Sequence, residues 1–356
     1  MDTSSPTEND TKVPMSDAPS TTPTLTQGGR AVKERGPVLS FLEHYGLVVM
    51  LIAVLVFFSV YPSTSAEFFS KANLVTMLGS QTVVAIIALA ALIPLASGYI
   101  DLSVAAIAGM ASCTFATTLT RAHFPLLVAI LAGILMGAAL GALNGVLIAH
   151  YHLSSIIVTL GSQIALGGIM EWYTKNNTIG AGMSQGIINC GSDNWLGIPR
   201  LTWILLPIAL GVWFLLEQTP FGRYIQAISS NRRSAKLVGI NVERTLFLAF
   251  TAAGVVAGIA GVLLSIRQGG ADSSTGPSFL FPALSGVFLS ATVIHPGRPN
   301  TVGTMVGLFF LAVIITGLEF LGATNWAPNL LTGLLLVIAA VLATALARER
   351  GGERMF

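Results

Sequence analysis

The sequence predicts an all-α, polytopic membrane helix bundle of about ten transmembrane segments. Three observations carry this. First, 53% of the 356 residues are hydrophobic, only 10% are charged, and the mean hydropathy is +0.76. A soluble domain carries about 25% charged residues, so the missing charge, more than the added hydrophobicity, assigns the chain to lipid. Second, apolar runs close to the ~20 residues that a helix needs to cross a bilayer recur along the chain. Third, 37 glycines fit helices that associate in lipid through small residues.

Residues 1–36 are rich in Ser, Thr, Pro, Asp and Glu and cannot bury enough surface to offset ordering. They predict a disordered tail. It lacks the basic start, apolar middle and small-residue cleavage site of a secretory signal, so it is expected to be retained in the cytoplasm. The transmembrane body then covers 37–347, and 348–356 form a second short tail.

The apolar runs fall at 45–61, 74–97, 103–120, 124–149, 154–172, 201–217, 246–266, 278–294, 301–321 and 328–346. In the fourth, Gly133, Gly137, Gly141 and Gly145 recur every four residues, line one face and are expected to meet another helix. The eighth is the weakest, because Pro277, Pro282 and Pro296 bracket and interrupt it and Gly286 lies within it. It reads as either a full passage or a broken, re-entrant helix, which is tolerable where protein or a cavity covers its backbone. With ten crossings and the N-terminus inside, thirteen of the 18 Lys and Arg lie on the cytoplasmic side, including Arg298 and the Arg348, Arg350 and Arg354 cluster. The positive-inside rule then puts both termini in the cytoplasm and favours a full eighth passage.

Two loops are long. The outer one, 173–200, contains Lys175, Asn176, Asn177, Asp193, Trp195 and Arg200; it is either a docking surface for an extracytoplasmic protein or a solvated loop. The inner one, 218–245, opens on the turn-rich Thr219-Pro220-Phe221-Gly222-Arg223. Asn231 is a candidate N-cap there, 232–238 allow two helical turns, and Gly239 supplies the stop. Arg232 and Arg233 oppose the dipole of that helix and share a surface with Lys236. Positive-inside topology, anionic headgroups or a cytoplasmic partner each account for them.

Polar residues expected inside the membrane are few: Gln81, Asn144, Gln163, Glu171 and Glu319 within the runs and Asp101 between two of them, with Arg267 and Asp272 near an outer boundary. Glu171 and Glu319 fall near segment ends, within reach of water. Asp101 reads as the N-cap of the helix that follows it. The sequence contains no G-x-x-x-x-G-K-[ST], H-E-x-x-H or G-x-S-x-G. His150 and His152 are spaced for neither one helical face nor a metal site. Cys113, in an apolar run, and Cys190, in a polar loop, are poorly placed to pair. No metal, no cofactor of its own and no nucleic-acid partner are expected, and the net charge of +2 is too small for a polyanion surface.

Several segments in this order resemble the ribose-type permeases of bacterial ABC importers. Ser97-Gly98-Tyr99-Ile100-Asp101-Leu102-Ser103-Val104 resembles their G-G-I-D-L-S-V motif, with Ser97 for one glycine and Tyr99 inserted. Leu143-Asn144-Gly145-Val146 resembles the N-G segment, and Ile156-Ile157-Val158-Thr159-Leu160-Gly161 the I-A-T-L-G run. Thr219-Pro220-Phe221-Gly222-Arg223 through Asn231 and Gly239-Ile240-Asn241-Val242 resembles T-x-F-G-R…N…G-I-N-V. The likeness spans 45–346. It implies a transport subunit of the inner membrane, without its own ATPase site, that pairs with a second permease copy or a non-identical paralogue. It also implies two cytoplasmic ATP-binding subunits holding ATP-Mg, and an extracytoplasmic solute-binding protein. The coupling helix maps onto 231–239, with Arg223, Asn231, Arg232, Arg233, Lys236 and Gly239 as coupling residues.

Two departures stand out. Arg232, Arg233 and Lys236 replace acidic residues, and the segment from Phe279 to Thr292 lacks the family's double glycine, although Gly303, Thr304 and Gly307 match. The expected solute is a sugar or similar polyhydroxylated molecule, with Gln81, Asn144, Gln163 and Phe281 as pathway candidates because amides and aromatic faces suit such a ligand. The rivals are a nucleoside or branched-chain amino acid permease of the same type, and an ion-coupled secondary transporter, which the scarcity of membrane carboxylates disfavours.

Overall fold

Where each apolar run begins and ends follows from its flanking residues. In the computed structural model, which describes residues 37–349 except 66 and 325, α1 covers Pro37–Val60 and α2 Lys71–Ala96. The expected tail over 1–36 and the C-terminal stretch 350–356 lie outside the described residues. Ser70 caps α2 by accepting from Asn73 N, and Gly98, at φ +84, follows its end. Then come α3 (Val104–Thr120), α4 (Leu126–Ala149) and α5 (Ser155–Thr174).

The long loop that follows is folded. It holds α6 (Gln185–Ser192) and a two-stranded antiparallel hairpin, β1 (Asn194–Trp195) with β2 (Ile198–Pro199). Next are α7 (Arg200–Trp213), prolonged by a π turn over Phe214–Gln218, then α8 (Pro220–Ser230), α9 (Arg232–Leu237) and α10 (Val242–Gln268). The chain closes with α11 (Thr275–Ser278), α12 (Leu280–Ser290), α13 (Thr301–Phe320) and α14 (Trp326–Glu349). Asn241 and Asn300 cap α10 and α13, each accepting from the backbone N–H three residues on.

Among the described residues, seven helices are long and apolar enough to cross a bilayer: α2, α4, α5, α7 with its π turn, α10, α13 and α14; α1 and α3 supply shorter apolar stretches of 17 residues each. The eighth apolar run is the exception. Its helix α12 has 11 residues, about 16 Å, roughly half the hydrocarbon thickness. Prolines and glycines favour irregular backbone ahead of it, in keeping with the broken helix that is one of the two readings of this run.

The core is built on α2, which is buried along 83% of its most apolar stretch. A helix that is apolar all round belongs in the interior, and α3, α7, α10, α12 and α13 pack on this one. α5 and α14, buried along only 17% of theirs, lie at the periphery.

Gly133, Gly137, Gly141 and Gly145 of α4 run along α10, antiparallel to it: a methyl on Gly137 would overlap Gly254 O, and one on Gly141 would overlap Phe250 O. Gly254 reciprocates against Gly137 O. Backbone touches backbone here, which is why no side chain fits.

Candidate functional site

Two polar constructions sit at the end of the bundle that carries α8 and α9. The inner loop contains one more helix than the sequence suggested. The Thr219 side chain accepts from Gly222 N, Pro220 occupies the first helical position, and α8 runs to Ser230 with Ile225 and Ile228 buried. A methyl on Gly222 would collide with Leu216 O, so this glycine is needed for α8 to fold back under the π turn. Arg223 is exposed on α8. After it, Asn231 Oδ1 accepts from Ser234 N at 2.8 Å and starts α9. Gly239, at φ +86, ends it.

The basic residues of α9 are not equivalent. Arg232 reaches His152 Nδ1 at 3.4 Å, and Lys236 pairs with Glu243 at 2.5 Å, while Arg233 is exposed. Beyond them Leu237 and Val238 are 82% and 76% exposed. The α9 side chain that anchors the helix is Ala235, in an apolar cluster with Ile228, Val242 and Leu246 against which Tyr99 packs. Sequence reading singled out the charges and missed the apolar pair Leu237-Val238, whose signal was two large apolar residues placed directly before a turn glycine.

The second construction gathers the scattered motifs. Gly98 lies against α8, where a Cβ would meet Ser229 Oγ at 3.5 Å. Asp101 stands two residues ahead of Ser103, the residue at the N-cap of α3, instead of occupying the cap itself. Its Oδ1 accepts from Ser103 N at 2.8 Å and Ser103 Oγ at 2.6 Å. Asn144 Nδ2 donates to Ser103 Oγ at 2.8 Å, and Ser162 Oγ donates to Asn144 Oδ1 at 2.7 Å. Thr159 Oγ1 accepts from Leu102 N at 3.0 Å, and Gln163 Oε1 from Ala106 N at 3.3 Å. The start of α3 is therefore capped by its neighbour α5, whose residues 159 and 163 share a face. Asp101 Oδ2 is buried without a partner among the described residues.

Of the pathway candidates, Asn144 is 1% exposed with both ends of its amide engaged; it holds helices together and is closed to solute. Gln163 is half-buried beside it. Gln81 is half-buried on α2, next to the Thr82–Thr202 hydrogen bond, and Phe281 is exposed on α12; neither joins Asn144. Gly161, on the exposed face of α5, has nothing within 4 Å of a Cβ built there. Glu171 and Glu319 are exposed near the ends of their helices. Cys113 is buried and Cys190 exposed, both free.

Replacing Asn144 with Leu, similar in volume, is expected to cost about 1–3 kcal/mol by removing both hydrogen bonds of its buried amide, to Ser103 and from Ser162. The readout is a lowered thermal midpoint in detergent. An unchanged midpoint with lost transport would mean that the amide serves solute and not packing.

A family model described as the branched-chain amino acid transport system permease component matches residues 73–340, which takes in both constructions. The chain belongs to this permease family. Among relatives, the ribose import permease protein of Bacillus subtilis (strain 168) is 31% identical over 300 residues, 83% of this chain and 90% of the relative. The D-allose transport system permease protein of Escherichia coli (strain K12) is 30% identical, over 85% of this permease and 92% of that one. The ribose import permease protein of the same strain is 28% identical, over 82% and 92%. No solved structure matches. The permease is thus a multi-pass membrane protein of the sugar ABC-importer type.

Proposed function

We propose that this permease is the membrane subunit of an ATP-driven importer for a monosaccharide or similar polyhydroxylated solute. Ten passages with both termini cytoplasmic place α8 and α9 on the inner face. The observation that carries the reading is α9: a capped helix with an exposed tip of Arg233, Leu237 and Val238, rooted through Ala235 in the cluster that also touches Tyr99. An apolar pair beside a cation is a surface for a protein partner, here the ATP-binding subunits that hold ATP-Mg. Movement of α9 acts through Ile228 and Tyr99 on the connection 97–103, and from there through Ser103 and Asn144 to α4 and α5.

The solute class rests on relatives named for ribose and allose. The family's description speaks for branched-chain amino acids and makes these the rival solutes. A second permease, identical or paralogous, covers the exposed faces of α5 and α14. The extracytoplasmic binding protein docks on the loop 173–200, where Trp195 and Leu196 are 60% and 78% exposed.

The test is reconstitution in proteoliposomes. The permease with its ATPase subunits and binding protein is expected to accumulate a monosaccharide only with ATP, and the permease alone to accumulate nothing. Accumulation on an ion gradient after ATP depletion would overturn the reading in favour of a secondary transporter.

A further inference from the structure

The connection between α10 and α11, just ahead of the eighth run, folds into the bundle. After α10 ends at Gly269, φ +67, Ala271 and Ile179 exchange two backbone hydrogen bonds of 2.9 and 2.8 Å. The chain then turns at Asp272. Its Oδ1 accepts from Ser274 N (2.8 Å), Ser274 Oγ (2.9 Å) and Thr275 N (2.7 Å), and its Oδ2 from Thr275 Oγ1 (2.6 Å).

The depth of this turn is fixed by α3. Cys113 Sγ donates to Asp272 O at 3.7 Å, and Gly276 sits on the backbone of Gly109, where a methyl would overlap. Cys113 lies seven residues, about 10 Å, inside the Thr120 end of α3. The turn therefore lies inward of that end of α3, and the residues after it, from Gly276 against Gly109 onward, run further along α3 into the bundle.

Along this stretch Ser274, Ser278 and Phe281 are exposed. Their spacing puts them along one side of the broken segment. The half-buried Gln163 borders the same place: it accepts from Ala106 N, next to Ala105, whose carbonyl faces Gly276. Hydroxyls and irregular backbone exposed to lipid tails are costly, whereas against a water-filled path they are not.

We propose that Ser274, Ser278 and Phe281 form a solute-contact strip of the transport path, whose ligand is a neutral, hydroxyl-rich molecule of monosaccharide size. This rests on the transport role proposed above. The chemistry follows from where the protons point. Ser274 Oγ donates to Asp272 and Ser278 Oγ to Thr275 O (2.7 Å), so both hydroxyls face the path as acceptors. A polyol supplies the matching O–H donors and a C–H face for the Phe281 ring, while an anion such as a sugar phosphate finds no donor on either serine and the Asp272 carboxylate behind them.

The test uses the complete complex in membranes. In a Cys190→Ser background, Ser278→Cys is expected to react with a membrane-impermeant methanethiosulfonate, and Leu135→Cys, 65% exposed on α4, to stay unmodified, because the reagent needs a hydrated thiolate. Modification of Ser278→Cys should lower uptake of labelled D-ribose or D-allose about ten-fold relative to the same variant untreated. Phe281→Ala should lower uptake several-fold and Phe281→Tyr restore it, as loss and return of one aromatic contact. A Ser278→Cys as unreactive as Leu135→Cys, with and without ATP, or a Phe281→Ala transporting like wild type, would overturn the strip. A wild-type complex that takes up no sugar would instead overturn the proposed solute class, and the reactivity of Ser278→Cys would still decide whether water lines the strip.

Discussion

Gly141→Leu is expected to prevent assembly of the bundle. The site faces the backbone of α10: a Cβ there overlaps Phe250 O and lies 2.8 Å from Gly254 Cα, while a Cβ on Gly254 would come within 2.9 Å of Gly141 Cα. No flexible side chain is present to yield, so the helices themselves must separate. Overpacking by single methylenes already costs about 1–3 kcal/mol, and leucine adds four carbons at a contact repeated at Gly137 and Gly145. A domain has about 5–15 kcal/mol to lose. The measurement is the monodisperse fraction on size exclusion after detergent extraction. Gly211→Leu, at an exposed α7 position with nothing within 4 Å of a Cβ, is the control and should elute as wild type. Equal profiles for the two variants would refute the close packing of α4 on α10.

Arg233→Glu combined with Leu237→Asp should leave the protein folded and inserted while separating ATP hydrolysis from uptake. Arg233 and Leu237 are both exposed on α9, so their replacement removes little packing, and surface changes of this kind typically move stability by less than about 0.5 kcal/mol. What changes is the tip: a cation becomes an anion and an apolar anchor becomes charged, the kind of substitution that ejects a partner from an interface centre. Uptake should fall by about 100-fold, or ~2.8 kcal/mol, at an unchanged thermal midpoint. Arg232→Glu is a less clean probe, since Arg232 also meets His152. Wild-type uptake in the Arg233 and Leu237 double variant would remove α9 from the coupling route.

Most of the helices could be read from the apolar runs, because burial in lipid writes itself into composition. The four-residue glycine period of α4 and the Asn231 and Gly239 ends of α9 were equally legible, each being a local device whose geometry depends on few neighbours. The rest depended on distance in space. Nothing near Asn144 in the chain shows that Ser103 and Ser162 take up its amide, so its polar character read as an invitation to solute. Thr159 stood out through the resemblance and Gln163 as a pathway candidate, but nothing local shows that both accept from the backbone at the start of α3. The helical start of α8 was hidden in a turn-like string, Thr219 to Arg223, whose Thr and Pro are also the residues of a helix N-terminus. In the eighth run Pro282 and Gly286 already pointed to a break, but the sequence left a full passage and a broken helix both open, because only the surrounding protein decides whether interrupted backbone is covered.

The capping of α3 by α5 limits how this molecule can change shape. Sliding or tilting α5 away from α3 would strip the backbone N–H groups of Leu102 and Ala106 of the side-chain oxygens of Thr159 and Gln163. The two are therefore expected to travel as one piece in the transport switch proposed above, with the give in connections elsewhere, such as 269–274 between α10 and α11.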